Sequence, residues 1–477
     1  MRITSKEILH GPIAPILTRM TMPLVLSMFM MIMFNAVDSY FVSKLGTLEL
    51  AAISFTFPVT YTIISMAIGL SIATSVMLAK AIGRGELDTA RRITTDNILL
   101  AILLVLVISI TGLSTTDVLF TSLGASAQTL PYIHQYMDVW YVFVGLMIVP
   151  MCGNAAIRAT GDTKWPSVMM LVTGIINALL DPCLIFGLGP FPELGVRGAA
   201  CAAALSWVAG FCMSFWVLHF REKLLLFAMP NFAQLWKYWG EIIKIAMPIS
   251  VANMLNPISA AILTALVARY GEHAVAGFGA GSRIEAFLLV VSLAMTAALS
   301  PYMAQNLGAR NFDRARQALR ASIRFSFLLQ LSLYPVVVLT APWLARLFSS
   351  DPEVISVTKM YLYIMPLGIC FYGVLIIINT AFNSAHKSHK TLIACLTRAL
   401  FCYAPLAWIG GLLFGIPGLY CGAVLGNVIA TSIAWRMLKP VYRDLETDPT
   451  FLHTAARDHE KEKRENGAIE AGQPDLT

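Results

Sequence analysis

The chain of 477 residues carries too little charge for a water-soluble protein. Hydrophobic residues make up 57% of it and charged residues only 13%, about half the charged fraction of an ordinary soluble domain. The positions before Lys439 contain many apolar runs of about 18 residues or more, the length that a helix needs to cross a bilayer. The composition therefore indicates an integral membrane protein, and it excludes a secreted enzyme, a nucleic-acid-binding protein and a coiled coil.

Twelve apolar runs predict twelve transmembrane helices. They lie at 20–43, 52–79, 93–116, 131–153, 165–187, 195–219, 242–268, 277–305, 322–346, 357–382, 391–414 and 416–438. With both termini in the cytoplasm, the outer loops keep few basic residues, namely Lys44, Arg197, Arg269, Arg346 and Lys359. The positive-inside rule therefore favours a multi-pass protein of the cytoplasmic (inner) membrane with cytoplasmic N- and C-termini.

The two halves of the chain repeat each other. A shift of 225 positions aligns Met22-Pro23 with Met247-Pro248 and Asn154 with Asn379. Each half has six spans, so the halves face the same way, and we expect two pseudo-symmetric six-helix lobes around a central cavity. The predicted organisation is an N-lobe at 1–219, a cytoplasmic linker at 220–241, a C-lobe at 242–439 and a disordered cytoplasmic tail at 440–477, where the composition becomes polar.

Acidic residues deep in spans identify candidate sites, because a carboxylate in the membrane costs roughly 2.5–3.5 kcal/mol even on a mild insertion scale. Asp38 and Asp181 share a depth of about 6–9 Å inside the predicted outer boundary. Asn35 and Asn177 lie three and four residues before them, on the same helix faces. We expect a proton or sodium site here, in which one carboxyl keeps a proton until a cation displaces it. A structural hydrogen-bonded pair is the alternative.

Other candidates have plain structural alternatives. Glu285 follows Arg283 by two residues, so an ion pair competes with a transport role. Met33 belongs to a methionine-rich stretch that could form a deformable wall for ligands, or could face lipid. Tyr136 and Tyr141 could stack on a cationic ligand or belong to an interfacial aromatic belt.

Six segments resemble the multidrug and toxic compound extrusion (MATE) transporters, in that family's order and spacing. They are AKAIGRGELDTARR (79–92), NAAIRATGDTKWPSV (154–168), INALLDPCLIFG (176–187), LGVRGAACAA (194–203), SRIEAF (282–287) and AQNLGARNFDRARQ (304–317). The resemblance covers about residues 10–440. It implies two six-helix lobes and antiport of drugs, often organic cations, against H+ or Na+.

The resemblance also implies roles for single residues. In the DinF-type branch, Pro23, Asp38, Asn177 and Asp181 match positions tied to cation binding and helix bending, and Asn154 matches a polar position of the N-lobe. The seventh span offers Asn256 but no acid, and Ala203 stands where some relatives have a threonine hydroxyl. These departures favour protons over sodium, although Asp38, Asp181 and Asn177 could also hold Na+.

These observations predict a monomeric H+- or Na+-coupled exporter of amphipathic, cationic organic compounds. We expect no cofactor and no enzymatic activity, since neither a GxxxxGK[ST] phosphate loop nor a DDxxD acid cluster is present in the sequence. The alternative within transport is a lipid-linked oligosaccharide flippase of the same superfamily, which would need a more cationic cavity.

Overall fold

The computed structural model describes residues 3–226 and 232–447. Over these residues the chain forms fourteen α-helices, two π-helical segments and no strand. The α-helices are α1 (Ser5–His10), α2 (Ile13–Ser43), α3 (Thr47–Gly83), α4 (Leu87–Ser122), α5 (Leu130–Phe143), α6 (Gly145–Ala159), α7 (Lys164–Phe186), α8 (Val196–Trp216), α9 (Phe232–Ala268), α10 (Glu272–Gly308), α11 (Phe312–Phe348), α12 (Pro352–Ser384), α13 (Ser388–Leu396) and α14 (Ala404–Thr447). The π-helical segments are Val217–Arg221 and Thr397–Tyr403.

These helices make the twelve predicted spans. Helices α5 and α6 form one span that bends by 44° between Phe143 and Gly145. The last two spans form one 54-residue apolar stretch from Ser388 to Val441, which turns where Phe414 and Gly415 leave helical geometry. The predicted fold class, an all-α membrane protein, is therefore confirmed.

Two helix ends differ from the sequence prediction. Helix α9 begins at Phe232, inside the predicted linker 220–241, because Trp239 anchors the first turns by donating its indole N–H to the carbonyl of Asp96 at 2.8 Å. Helix α14 continues to Thr447, into the predicted disordered tail, and Val441 is buried against the second-half core. Residues 448–477, which hold the rest of that tail, lie outside the described residues.

The helix bounds repeat with the same offset as the sequence. Helices α3 and α10 have 37 residues each and begin and end 225 positions apart. Gly195 and Gly415, which are 220 positions apart, both have positive φ and begin the last span of their half. Sequence identity between the halves therefore reflects two copies of one six-helix unit.

The halves meet tightly at the end where α3 and α10 finish, which is the predicted cytoplasmic end. A Cβ added to Gly83 would collide with the backbone of Gln305, and one added to Gly308 would collide with the backbone of Lys80. All residues from Ala298 to Gly308 in α10 are buried. Because the helices cross backbone to backbone there, the lobes are closed at that end.

The short helix α1 lies across this closed end and contacts both halves. Gln305 of α10 accepts a hydrogen bond from the Ser5 hydroxyl at 3.0 Å and donates one to the Ala159 carbonyl of α6 at 2.7 Å. The Arg314 guanidinium donates to the backbone carbonyls of Ile8 and Gly11. The N-terminal segment thus joins the ends of the two lobes.

Candidate functional site

The first lobe holds a pair of carboxyl groups at one depth. Asp38 lies five residues before the end of α2 and Asp181 five residues before the end of α7, and α2 packs along α7, where the Phe34 ring fills the space beside Gly174. The two carboxyls are within hydrogen-bond distance of each other. The structure thus brings together the two acids that the sequence placed at a shared depth.

The environment of Asp181 favours a shared proton. Its side chain is fully buried, and its Oδ1 accepts a hydrogen bond from Asn177 Nδ2 at 3.1 Å. Its Oδ2 is buried and receives no hydrogen bond from a donor group of the described residues. A carboxylate can only accept hydrogen bonds, so Asp38 and Asp181 can bond to each other only when one of them carries a proton. The pair therefore has room for one proton between its oxygens.

The other predicted members of this site lie apart from the pair. Asn35 is exposed on α2, and among the described residues its side chain makes no hydrogen bond; its carbonyl accepts the Ser39 hydroxyl. Asn154 lies five residues from the cytoplasmic end of α6, whereas Asp181 lies about 25 Å from that end of α7. The predicted place of Asn154 in the carboxyl site is wrong, because its helix runs through the other half of the membrane.

The two predicted tyrosines have different positions. Tyr136 of α5 lies close enough to Asp38 and Asp181 to interact with both carboxyls electrostatically. Tyr141 is 1% exposed, its ring packs against Gly112 of α4, and its carbonyl accepts the Ser109 hydroxyl at 2.6 Å. Tyr141 belongs to the core of the lobe, so both of its interpretations, as a ligand-stacking ring and as part of an aromatic belt, are wrong.

Helix α2 runs without a break through Pro23 and presents apolar side chains beyond it. Met33 is 42% exposed, and the Phe29 ring lies 5.6 Å from the Phe287 ring of α10 in the other half. Helix α2 is therefore straight in this structure, and its apolar face contacts the second lobe.

The second lobe has its own polar cluster within the membrane. The hydroxyl of Tyr361 in α12 donates a hydrogen bond to Glu285 of α10, and the Tyr361 ring packs edge-on against Tyr420 at 5.3 Å. Arg283, the ion-pair partner that the sequence suggested for Glu285, is exposed. The nearby cation is instead Arg398, in the π-helical segment Thr397–Tyr403.

Aromatic rings surround Arg398. Its Cζ lies 4.0 Å from the ring centre of Tyr372 and 4.9 Å from that of Tyr403. Its Nε donates to Asn427 Oδ1 at 2.9 Å. The Tyr372 hydroxyl donates to Asn256 Oδ1 at 3.1 Å, which connects the predicted Asn256 of α9 to this cluster.

The cluster faces the first lobe. Tyr372 interacts electrostatically with Tyr61 of α3, and Tyr61 belongs to the first half. Each lobe thus presents one polar group towards the other within the membrane: Asp38 and Asp181 from the first, and Glu285 with Arg398 from the second. We call the space between them the interlobe cleft.

Sequence reasoning missed Arg398 and Tyr361, although two signals could have found them. Arg398 is a charge inside the predicted span 391–414, and such charges are rare without a function. Tyr361 lies 225 positions after Tyr136, so the internal repeat pairs the two tyrosines that stand beside carboxyls. Comparing the halves position by position would have identified it.

Comparison with known proteins gives the same architecture. The family model MatE matches residues 23–183 and 248–409, so it matches the chain twice, at starting points 225 positions apart. A FAD transporter of Shewanella oneidensis is 38% identical over 438 residues, which cover 91% of this chain and 97% of that protein. A probable multidrug resistance protein NorM of Thermotoga maritima is 24% identical and covers 87% of this chain and 90% of its own length.

Solved structures agree with the fold. The Vibrio cholerae MATE transporter VcmN in the bent form superimposes with a TM-score of 0.86 at 30% identity, covering 93% of this chain and 99% of that one. An outward-facing multidrug resistance MATE transporter superimposes with a TM-score of 0.87 at 25% identity, covering 94% of this chain and 100% of that one. Twelve transmembrane helices in two lobes, a twofold MatE match and these relatives place the chain in the MATE family of transporters.

Proposed function

We propose that this MATE exporter moves flavin nucleotides such as FAD out of the cytoplasm in exchange for protons. The observation that carries the proton part is the buried Asp38–Asp181 pair, whose mutual hydrogen bond needs one proton. Two carboxylates this close would repel each other strongly in a medium of low dielectric constant. One proton bound at the pair removes that repulsion, and its release would restore it.

The proton can couple to transport through the position of the pair. Asp38 is half-buried on α2 and Asp181 is fully buried on α7. A proton that enters from the outer side reaches Asp38 first and neutralises the pair, so that α2 and α7 can pack without repulsion. Release of the proton on the other side, after the lobes have re-oriented, would complete the exchange.

The flavin part rests on similarity and on the chemistry of the cleft. The FAD transporter relative aligns over 91% of this chain. FAD has two aromatic ring systems joined by a negatively charged diphosphate. The cleft offers the Phe29 and Phe287 rings, Tyr372 and the cationic Arg398, which together suit a molecule that is both aromatic and anionic.

Export of amphipathic organic cations is the second candidate. The exposed Met33 beside Phe29 gives a deformable apolar wall, and Asp38 could attract a cation once the proton has left. The multidrug resistance relatives also favour this function. A sodium ion at Asp38, Asp181 and Asn177 remains the alternative to the proton.

Transport by purified protein in liposomes tests both parts. FAD or the cationic dye rhodamine 123 is loaded inside, and efflux is followed by fluorescence after a pH gradient, a sodium gradient or neither is imposed. We expect FAD efflux that an external acid pulse accelerates and that sodium leaves unchanged. Efflux of the dye alone would support the drug-export candidate, and acceleration by sodium alone would overturn the proton proposal.

A further inference from the structure

The interlobe cleft contains a cation that neither the family match nor the carboxyl pair accounts for. Arg398 lies ten residues after the start of α13, about 15 Å into the membrane. An arginine at that depth is costly and commonly marks a substrate or ion pathway. It lies in a π-helical segment, and such segments occur frequently at functional sites.

Neighbouring groups hold the guanidinium in one orientation. Tyr372 and Tyr403 lie against it at 4.0 and 4.9 Å, and Asn427 accepts its Nε–H at 2.9 Å. These contacts use the faces and one edge of the planar group. A fixed guanidinium loses less entropy when it binds an anion than a mobile side chain does.

The opposite edge of Arg398 is available. Within residues 3–226 and 232–447, its two terminal amino groups make no hydrogen bond, and they are not sealed inside the protein. Glu285 contributes an electrostatic attraction but no ion pair, because its carboxylate accepts the Tyr361 hydroxyl. Two parallel N–H groups that point into a cleft match the oxygens of a phosphate.

We infer that Arg398 binds the phosphate or diphosphate of the substrate, and that the second lobe therefore selects anionic aromatic molecules. The inference rests on the proposed export of flavin nucleotides and adds the residue that recognises their charge. Tyr372 is then a neighbour of both the anion and Tyr61 across the cleft. Asn427 acts as a positioning residue, since it touches only the guanidinium.

Binding of three flavins separates the phosphate from the ring. Riboflavin has the ring alone, FMN adds a phosphate, and FAD has the diphosphate and adenine. Affinities are measured by quenching of flavin fluorescence with the full chain in phosphatidylcholine nanodiscs, first without and then with phosphatidylglycerol. We expect the wild type to prefer FAD and FMN over riboflavin by about 10- to 100-fold, the range for a charge-assisted hydrogen bond.

Arg398→Gln should remove that preference and leave riboflavin binding unchanged. Arg398→Lys keeps the charge without the fork and should retain part of the preference, and it provides a second folded variant if the glutamine variant is unstable. Asn427→Ala should reduce FAD affinity and not riboflavin affinity. Arg436→Gln, at an exposed arginine of α14, is the matched control and should behave as the wild type.

Each outcome decides the inference. A preference for phosphate that survives in Arg398→Gln would overturn it while leaving flavin export intact. Loss of the preference only when phosphatidylglycerol is added would identify an anionic lipid headgroup as the competing ligand of Arg398, and would still assign the residue to phosphate. If no flavin binds, the proposed substrate is wrong, and anionic carboxyfluorescein is then compared with cationic rhodamine 123: equal effects of Arg398→Gln on both dyes would overturn the inference.

Discussion

Asp181 is the residue on which coupling depends most. It is fully buried, it accepts a hydrogen bond from Asn177, and it shares a hydrogen bond with Asp38. An amide in its place keeps the size of the side chain and can still donate to Asp38. It cannot release a proton. The substitution therefore separates the structural role of the side chain from its role in coupling.

We predict that Asp181→Asn abolishes efflux driven by a pH gradient while the protein stays folded in the membrane. The measurement is FAD efflux from liposomes after an acid pulse, with monodispersity in detergent as the test of folding. Asp117→Asn is the control, because Asp117 is exposed and contacts only His134. Wild-type efflux in Asp181→Asn would remove this residue from the proton site.

His386 is a titratable group of a different kind, at the closed end between α12 and α13. Burial and the neighbouring Lys80 and Arg84 lower its pKa from 6.5 to about 3, and its Nε2 is buried. The folded protein thus holds a neutral imidazole where the unfolded chain would bind a proton below pH 6.5. Stability from this site is complete above that pH and is lost as the pH falls towards 3.

We predict that the wild type loses up to about 1.4 kcal/mol of stability per pH unit below pH 6.5 through His386. His386→Gln should remove this part of the pH dependence. The measurement is the melting temperature in detergent at pH 7.5 and pH 5.5 for both proteins. An equal shift in the two would show that other groups cause the pH dependence.

Spacing along helices predicted the carboxyl site, and only partly. Asp38, Asp181 and Asn177 could be found because residues three and four apart share a helix face and depth follows from residue number. Asn154 and Tyr141 could not be excluded, because spacing does not tell which way a helix face points once helices pack. Arg398 was missed because its partners come from other helices.

Helices α3 and α10 control the closed end through their glycines. Their last residues, Gly83 and Gly308, let each backbone touch the other helix, which only a residue without Cβ allows at this distance. The sequence predicted both helices and their repeat, since apolar runs and identities reveal length and register. It could not predict this crossing, because contacts between distant helices leave no periodic signal.

We predict that Gly308→Ala destabilises the closed state by about 1–3 kcal/mol, the typical cost of an added methyl group in a filled site. Gly279→Ala in the same helix is the matched control, because a Cβ there has no heavy atom within 4 Å. The melting temperature in detergent should fall for Gly308→Ala and stay level or rise for Gly279→Ala. Equal melting temperatures would mean that the crossing adjusts without cost.

The whole molecule converts charge movement into export. A diphosphate substrate carries about two negative charges, so its exit with entry of one proton moves about three charges in the favourable direction, or about 7 kcal/mol per 100 mV. Exchange of a monovalent cation for one proton moves no net charge. The identity of the substrate therefore determines whether transport responds to voltage.

We predict that a valinomycin-generated potential, negative inside the liposome, accelerates FAD efflux at equal pH on both sides. The same potential should leave one-for-one exchange of rhodamine 123 unchanged. Efflux is followed by fluorescence over a series of potassium ratios. An FAD rate independent of the potential would contradict an exchange in which the substrate leaves as a dianion.

The repeat of 225 positions has a consequence for how the two lobes divide their work. The position equivalent to Asp38 in the second half is the buried Leu263, and the position equivalent to Arg398 in the first half is Thr173. Tyr136 and Tyr361 alone remain as a matching pair beside the carboxyls. One ancestral bundle thus supplied two scaffolds of the same shape, and each could specialise without changing the hinge they share: one for the driving ion, the other for the cargo.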